Sequence, residues 1–145
     1  DILEMVQGRK LSKRDLKQMP EEKKLGDLRR RYVQRGGAIG KAAVGFTEGG
    51  GTALFRVGKN LKGDKIKEMT AKAMKVIWKD EKDHYLEQAE IASKLISNKQ
   101  SLTKMKDAVI DVSLQRVWMR NEMFREPMTA AQIENFISRR QDRLA

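Results

Sequence analysis

His84 is the sole histidine of the chain, with Asp80 four residues before it and Glu87 three after it. On a helix those offsets share one face. The trio is therefore half of a carboxylate–histidine metal site, or the core of a general acid–base centre. A closed site needs ligands from a second element, and the chain has neither another histidine nor any cysteine. The block around it, Lys79, Asp80, Glu81, Lys82 and Asp83, reads as the solvated side of a helix. The expectation is an exposed His84 and a chain with no catalytic site, no metal and no cofactor.

The segment Gly36, Gly37, Ala38, Ile39, Gly40, Lys41, Ala42 invites comparison with a phosphate-binding loop. That motif requires a glycine where Arg35 stands and a hydroxyl where Ala42 stands, the hydroxyl being a magnesium ligand. Neither is present, and no buried strand precedes the segment, so nucleotide hydrolysis is not expected. The small residues at 36, 38, 40 and 42 suit close backbone approach or a flexible linker.

The third set is cationic. Residues 1–67 carry 17 Lys and Arg against 8 Asp and Glu, whereas residues 68–145 carry 14 against 12. Such asymmetry points to an acidic, extended partner: nucleic acid, an anionic membrane face or an acidic protein surface. Lys23, Lys24, Arg30, Arg31 and Arg35 fall on one arc of a helix over 20–35, and Lys24, Arg31 and Arg35 lie along one line of it. Phosphates are held by Lys and Arg at spacings that follow a backbone. These five residues are the expected nucleic-acid contacts, extended by Arg9, Lys10, Lys13 and Arg14 if the N-terminal segment folds back.

The elements that must position these residues are mostly helical. Pro20 at a first helical position, with Glu21 and Glu22 behind it, opens the helix over 20–35, and Gly36 is placed for a left-handed cap. Leu25, Leu28, Tyr32 and Val33 form its apolar arc, with Arg29 among them. Nine of the eleven glycines fall within 36–63. At ~1 kcal/mol per glycine relative to alanine, this stretch is expected to be irregular, with at most one β-hairpin pairing 43–47 with 53–57, the competing reading being two short helices joined by the glycine run. Asp64 caps a long helix over 64–98, with a break conceivable at 79–83. Ser101 caps another over 102–125, whose apolar residues cover more than one face. The short turn at 98–101 makes these two an antiparallel helical hairpin. Pro127 ends the second, and Thr129 with Gln132 forms a capping box for a last helix over 129–144.

The fold class expected is mainly α: an extended helical hairpin with flanking amphipathic helices and a glycine-rich irregular segment. Two regions follow, a basic 1–63 with its glycine-rich centre and a helical 64–145. No apolar run approaches the ~20 residues of a membrane span. The start at Asp1 suggests a trimmed product, and an intracellular or virion setting fits the composition. The leading expectation is a non-enzymatic assembly or packaging component of a larger particle, a virion or ribonucleoprotein, contacting nucleic acid electrostatically. One alternative is a helical protein–protein module with no nucleic-acid contact, its Met69, Met74, Met105, Met119 and Met123 packing into a homo- or hetero-oligomer. Another is a helix-turn-helix-like DNA-binding protein reading bases through Gln132, Asn135, Arg139 and Arg143.

Overall fold

The computed structural model describes residues 2–15, 17–48, 52–124 and 126–141. Among the described residues seven helices follow in order: α1 (Ile2–Gln7), α2 (Pro20–Arg35), α3 (Gly37–Glu48), α4 (Thr52–Gly58), α5 (Lys65–Leu95), α6 (Lys99–Glu122) and α7 (Ala130–Gln141), with a 3-10 turn at Lys13–Asp15. The mainly helical class is as expected.

The glycine-rich segment is where the structure departs from that reading. Residues 37–48 and 52–58 are helical, and no strand occurs among the described residues, so the irregular segment and the β-hairpin are corrected. The turn that hairpin needed, at 49–51, lies outside the described residues. Two effects offset the propensity cost of the glycines. Alanines at 38, 42 and 43 favour helix, and the glycines permit contacts that a side chain forbids. A Cβ at Gly40 would lie 2.4 Å from the Tyr32 carbonyl oxygen, and one at Gly36 2.5 Å from the same atom. α3 thereby doubles back against α2 at very short range.

The corner between α2 and α3 also corrects the expected cap. Gly36 has φ −84° and stays right-handed, its N–H donating to the Tyr32 carbonyl at 2.9 Å. The left-handed residue is Gly37, with φ +61°. The start of α2 agrees with the sequence: Pro20 is at its first position, and the Glu22 carboxylate accepts from the Met19 N–H at 3.4 Å.

α3 is the centre of the arrangement. It packs against α2, α5 and α6, while α2 packs on α6, and α4 and α1 lie on α5. Direct packing along the two long helices is therefore replaced by α3, which contacts both. α5 starts at its Asp64 cap, whose carboxylate accepts from the Lys67 N–H at 2.9 Å. It continues without a break at 79–83 over 31 residues, ~46 Å at 1.5 Å per residue. α6 starts earlier than expected. Asn98 is its cap, accepting from the Ser101 N–H at 2.9 Å, and the Ser101 hydroxyl accepts in return from the Asn98 N–H at 3.0 Å.

Two clusters form the core. One joins Ala42 and Ala43 of α3, Ala92 of α5, and Met105 and Ala108 of α6. The other joins Leu25 of α2, Val44 of α3 and Val112 of α6, with Leu28, Tyr32 and Met119 packed against it. Val33, expected on the inner arc, is exposed. Ile133 of α7 is fully buried. The capping box at Thr129 and Gln132 is present, with the Thr129 N–H donating to Gln132 Oε1 at 2.9 Å. Arg143 and Leu144 lie outside the described residues.

Candidate nucleic-acid interface

α2 is fixed to α6 by three polar ties that also set its direction. The Glu122 carboxylate accepts from the Glu21 N–H at 2.9 Å, satisfying one of the donors left open in the first turn of α2. Gln115 Nε2 donates to Glu21 Oε2 at 2.8 Å and to the Glu21 carbonyl at 3.2 Å. Tyr32 donates its hydroxyl proton to Asp111 Oδ2 at 2.5 Å. Ascending positions on α2 meet descending positions on α6, so the two run antiparallel. Burial, reinforced by the Asp111 carboxylate, pushes the Tyr32 phenol up to about 12.

With its inner face so anchored, α2 turns its basic residues outward. Lys23, Lys24, Arg30, Arg31 and Arg35 are all exposed. Lys24 Nζ pairs with Glu21 at 2.5 Å and Arg30 with Asp27 at 2.8 Å. The Glu21 carboxyl is held below its usual range by Lys24 first and the Gln115 hydrogen bond second. Arg31 stands over the Tyr32 ring, 6.0 Å from its centroid. Among the described residues Lys23, Arg31 and Arg35 form no ion pair. Pairs three residues apart on an exposed helix are worth only about 0.3–0.5 kcal/mol and are screened by salt. A phosphate can therefore displace them.

Three depressions follow this side of α2. The first, about 390 Å³, is lined by Lys24, Asp27, Leu28, Arg31 and Gln115. The second, about 220 Å³, is lined by Asp27, Arg30, Arg31, Gln34 and Arg35. The third, about 300 Å³, includes Tyr32, Arg35, Gly40, Lys104 and Asp107. Lys104 of α6 was missed by the sequence reading because nothing local marks it. It joins Arg35 only through the antiparallel pairing of α2 and α6.

The N-terminal cations are arranged differently. Arg9 makes a two-pronged pair with Asp15, Nη2 to Oδ1 at 2.5 Å and Nη1 to Oδ2 at 2.9 Å. The Ser12 N–H and hydroxyl also donate to Asp15, each at 2.7 Å. The Arg9 guanidinium, then these Ser12 bonds, hold the Asp15 carboxyl well below the usual carboxylate range. Lys10 and Lys13 are exposed, and the Arg14 side chain lies outside the described residues. α1, which precedes them, lies on α5, whereas α2 lies on α3 and α6.

Comparison with family models, curated proteins and solved structures finds no match to this chain.

His84 is exposed, 3.6 Å from Glu81. A cleft of about 300 Å³ beside it is lined by Gly45, Glu48, Glu81, His84, Glu87 and Gln88, so Glu48 rather than Asp80 joins the histidine. No group of three or more His, Cys, Asp or Glu among the described residues is arranged to hold a metal ion. Among those residues, no helix is long and apolar enough to cross a membrane.

Proposed function

We propose that this chain is a non-enzymatic assembly or packaging component that holds nucleic acid by its phosphates, with the outer face of α2 as the contact surface. The observation that carries the reading is the line Lys24, Arg31, Arg35 on the exposed flank of a helix anchored to α6, where it borders Gln115 and Lys104. The line rises ~17 Å from Lys24 to Arg35, about the length over which one duplex strand presents five phosphates. Lys104 extends it beyond Arg35. Lys23 and Arg30 flank it, and Arg9, Lys10, Lys13 and Arg14 add charge on the preceding segment.

A second reading, a protein–protein module in a larger oligomer, is favoured by large apolar side chains left in solvent, among them Leu54, Val57, Val76, Leu86, Met123 and Phe124. Base reading by Gln132, Asn135 and Arg139 on the exposed side of α7 is a third.

Purification with and without nuclease separates the first two. Nucleic acid that co-purifies, and whose digestion reduces the particle mass, supports phosphate binding. A large particle free of nucleic acid in both preparations contradicts it and supports the protein module.

A further inference from the structure

Arg29 lies among the apolar residues of α2, half-buried, and reaches the end of α3. Its guanidinium pairs with Glu48, while its Nε is buried without a hydrogen-bond partner. Arg116 of α6 reaches the same end of α3. Its Nη2 reaches the buried Thr47 hydroxyl only at 3.5 Å, and its Nε is likewise buried without a partner. Arg120 is one turn further along α6. Burial lowers the basicity of Arg116, and the nearby Arg29 and Arg120 lower it further, with Glu48 opposing them.

Two guanidinium groups, Arg29 and Arg116, thus meet at the end of α3 beside the single carboxylate of Glu48, with the exposed Arg120 adding a third positive charge near Arg116. Buried donors without acceptors are rare, and a native one calls for an ion or water to fill the gap. Guanidinium groups are best matched by oxyanions, which accept two parallel N–H bonds and neutralise charge at once. We propose that Arg116, with Arg29 and Arg120 beside it, forms an oxyanion site at the α2–α3–α6 junction that takes a phosphate group. The Thr47 hydroxyl donates its proton to the Val44 carbonyl at 2.7 Å and serves Arg116 only as an acceptor, so the guanidinium groups alone supply donors. Glu48 is the built-in competitor: it occupies Arg29 when the site is empty and repels the incoming anion. The site is separate from the outer face of α2, and its test does not depend on that face.

The test is calorimetric titration of the full chain with inorganic phosphate, ionic strength being held constant with chloride. The native chain should show saturable binding at a single site. Arg116→Met, which keeps the bulk of the side chain, should weaken binding about tenfold or more, the loss expected for a charge-assisted pair. Glu48→Gln should tighten it severalfold, because the competing charge is gone. Lys72→Gln and Lys75→Gln, at exposed positions of α5, should leave it unchanged. Absence of saturable binding to the native chain overturns the proposal, as does an isotherm that neither the Arg116 nor the Glu48 change moves. If Arg116→Met does not fold by circular dichroism, Glu48→Gln decides alone, and an unchanged isotherm there overturns the site. A short oligonucleotide added to the phosphate-loaded chain separates the sources. Phosphate release assigns the site to strand phosphates, and retention assigns it to free phosphate; both outcomes uphold the oxyanion site.

Discussion

The α2–α3–α6 unit and the α4–α5 arm are both helical, yet they are held by different means. In the first, Leu25, Ala42, Ala43, Val44, Met105, Ala108 and Val112 are buried, and side chains tie α2 to α6 at both ends of their contact. In the second, α5 buries Ala92 near its C-terminal end and leaves Val76, Ile77, Leu86 and Ile91 exposed. Its N-terminal half is supported by α4 through Gly58 against Met74 and through Lys59 Nζ, which stands 3.1 Å from the centroid of the Trp78 ring. Apolar burial at roughly 25 cal/mol per Å² makes the first unit the seat of stability. The arm packs on α3 but buries little apolar side chain beyond Ala92, so it should open first in local unfolding. The basic face of α2 belongs to the rigid unit, so its charges are held in fixed register.

The largest expected effect sharpens that contrast. Met105→Ala removes a buried side chain from the α3–α5–α6 cluster and should cost about 2–5 kcal/mol in urea unfolding. Leu86→Ala on the arm, where the side chain is 67% exposed, should change stability by less than about 0.5 kcal/mol. Equal losses at the two positions would erase the distinction.

Glycines give the next test. Gly40→Ala drives a methyl group into the Tyr32 backbone, which cannot yield as a flexible side chain does, and should cost about 1–3 kcal/mol. Gly26→Ala, at the middle of α2, meets nothing nearer than Gln18 Nε2 at 4.0 Å and should stabilise by about 0.4–1 kcal/mol. Thermal unfolding of both variants checks the sign: a harmless alanine at 40 would mean that α2 and α3 do not approach as described.

The same positions show where sequence reasoning stopped. Helices with explicit signals were legible: Pro20 with Glu21 and Glu22, Asp64, and the Thr129–Gln132 box each mark a start that the structure keeps. α3 was legible only as the less favoured of two readings, because summed glycine propensity argues against a helix and the repayment comes from close approach to Tyr32 and from packing on α6, which is distant in sequence. The basic line on α2 followed from helical periodicity alone. Lys104 did not, since tertiary pairing brings it there. Arg29 within an apolar arc was a visible sign of an inward charge. Its counterpart, Arg116 between Leu114 and Val117, carried the same sign.

A smaller effect tests the tie between α2 and α6. Tyr32→Phe loses the hydrogen bond to Asp111 and should cost about 0.5–1.5 kcal/mol. The phenol has its pKa raised in the folded state, so it stays protonated there while the unfolded chain ionises. Its contribution is fully present below pH ~10 and is lost as pH rises from there through about 12. Stability measured across that window should fall more in the native chain than in Tyr32→Phe, and identical pH profiles would remove Tyr32 from the tie.

The central claim, phosphate contact by the outer face of α2, is tested most directly by the salt dependence of duplex binding. Each phosphate contact adds roughly 0.9 to the magnitude of the slope of log K against log salt. Changing Lys24, Arg31 and Arg35 together to Gln should flatten the slope by about 2–3 and weaken binding equally for unrelated sequences. Changing Gln132, Asn135 and Arg139 to Ala should leave the slope in place. An unchanged slope in the α2 variant, with binding to one preferred sequence abolished by the α7 changes, would contradict the account and make α7 the reading surface.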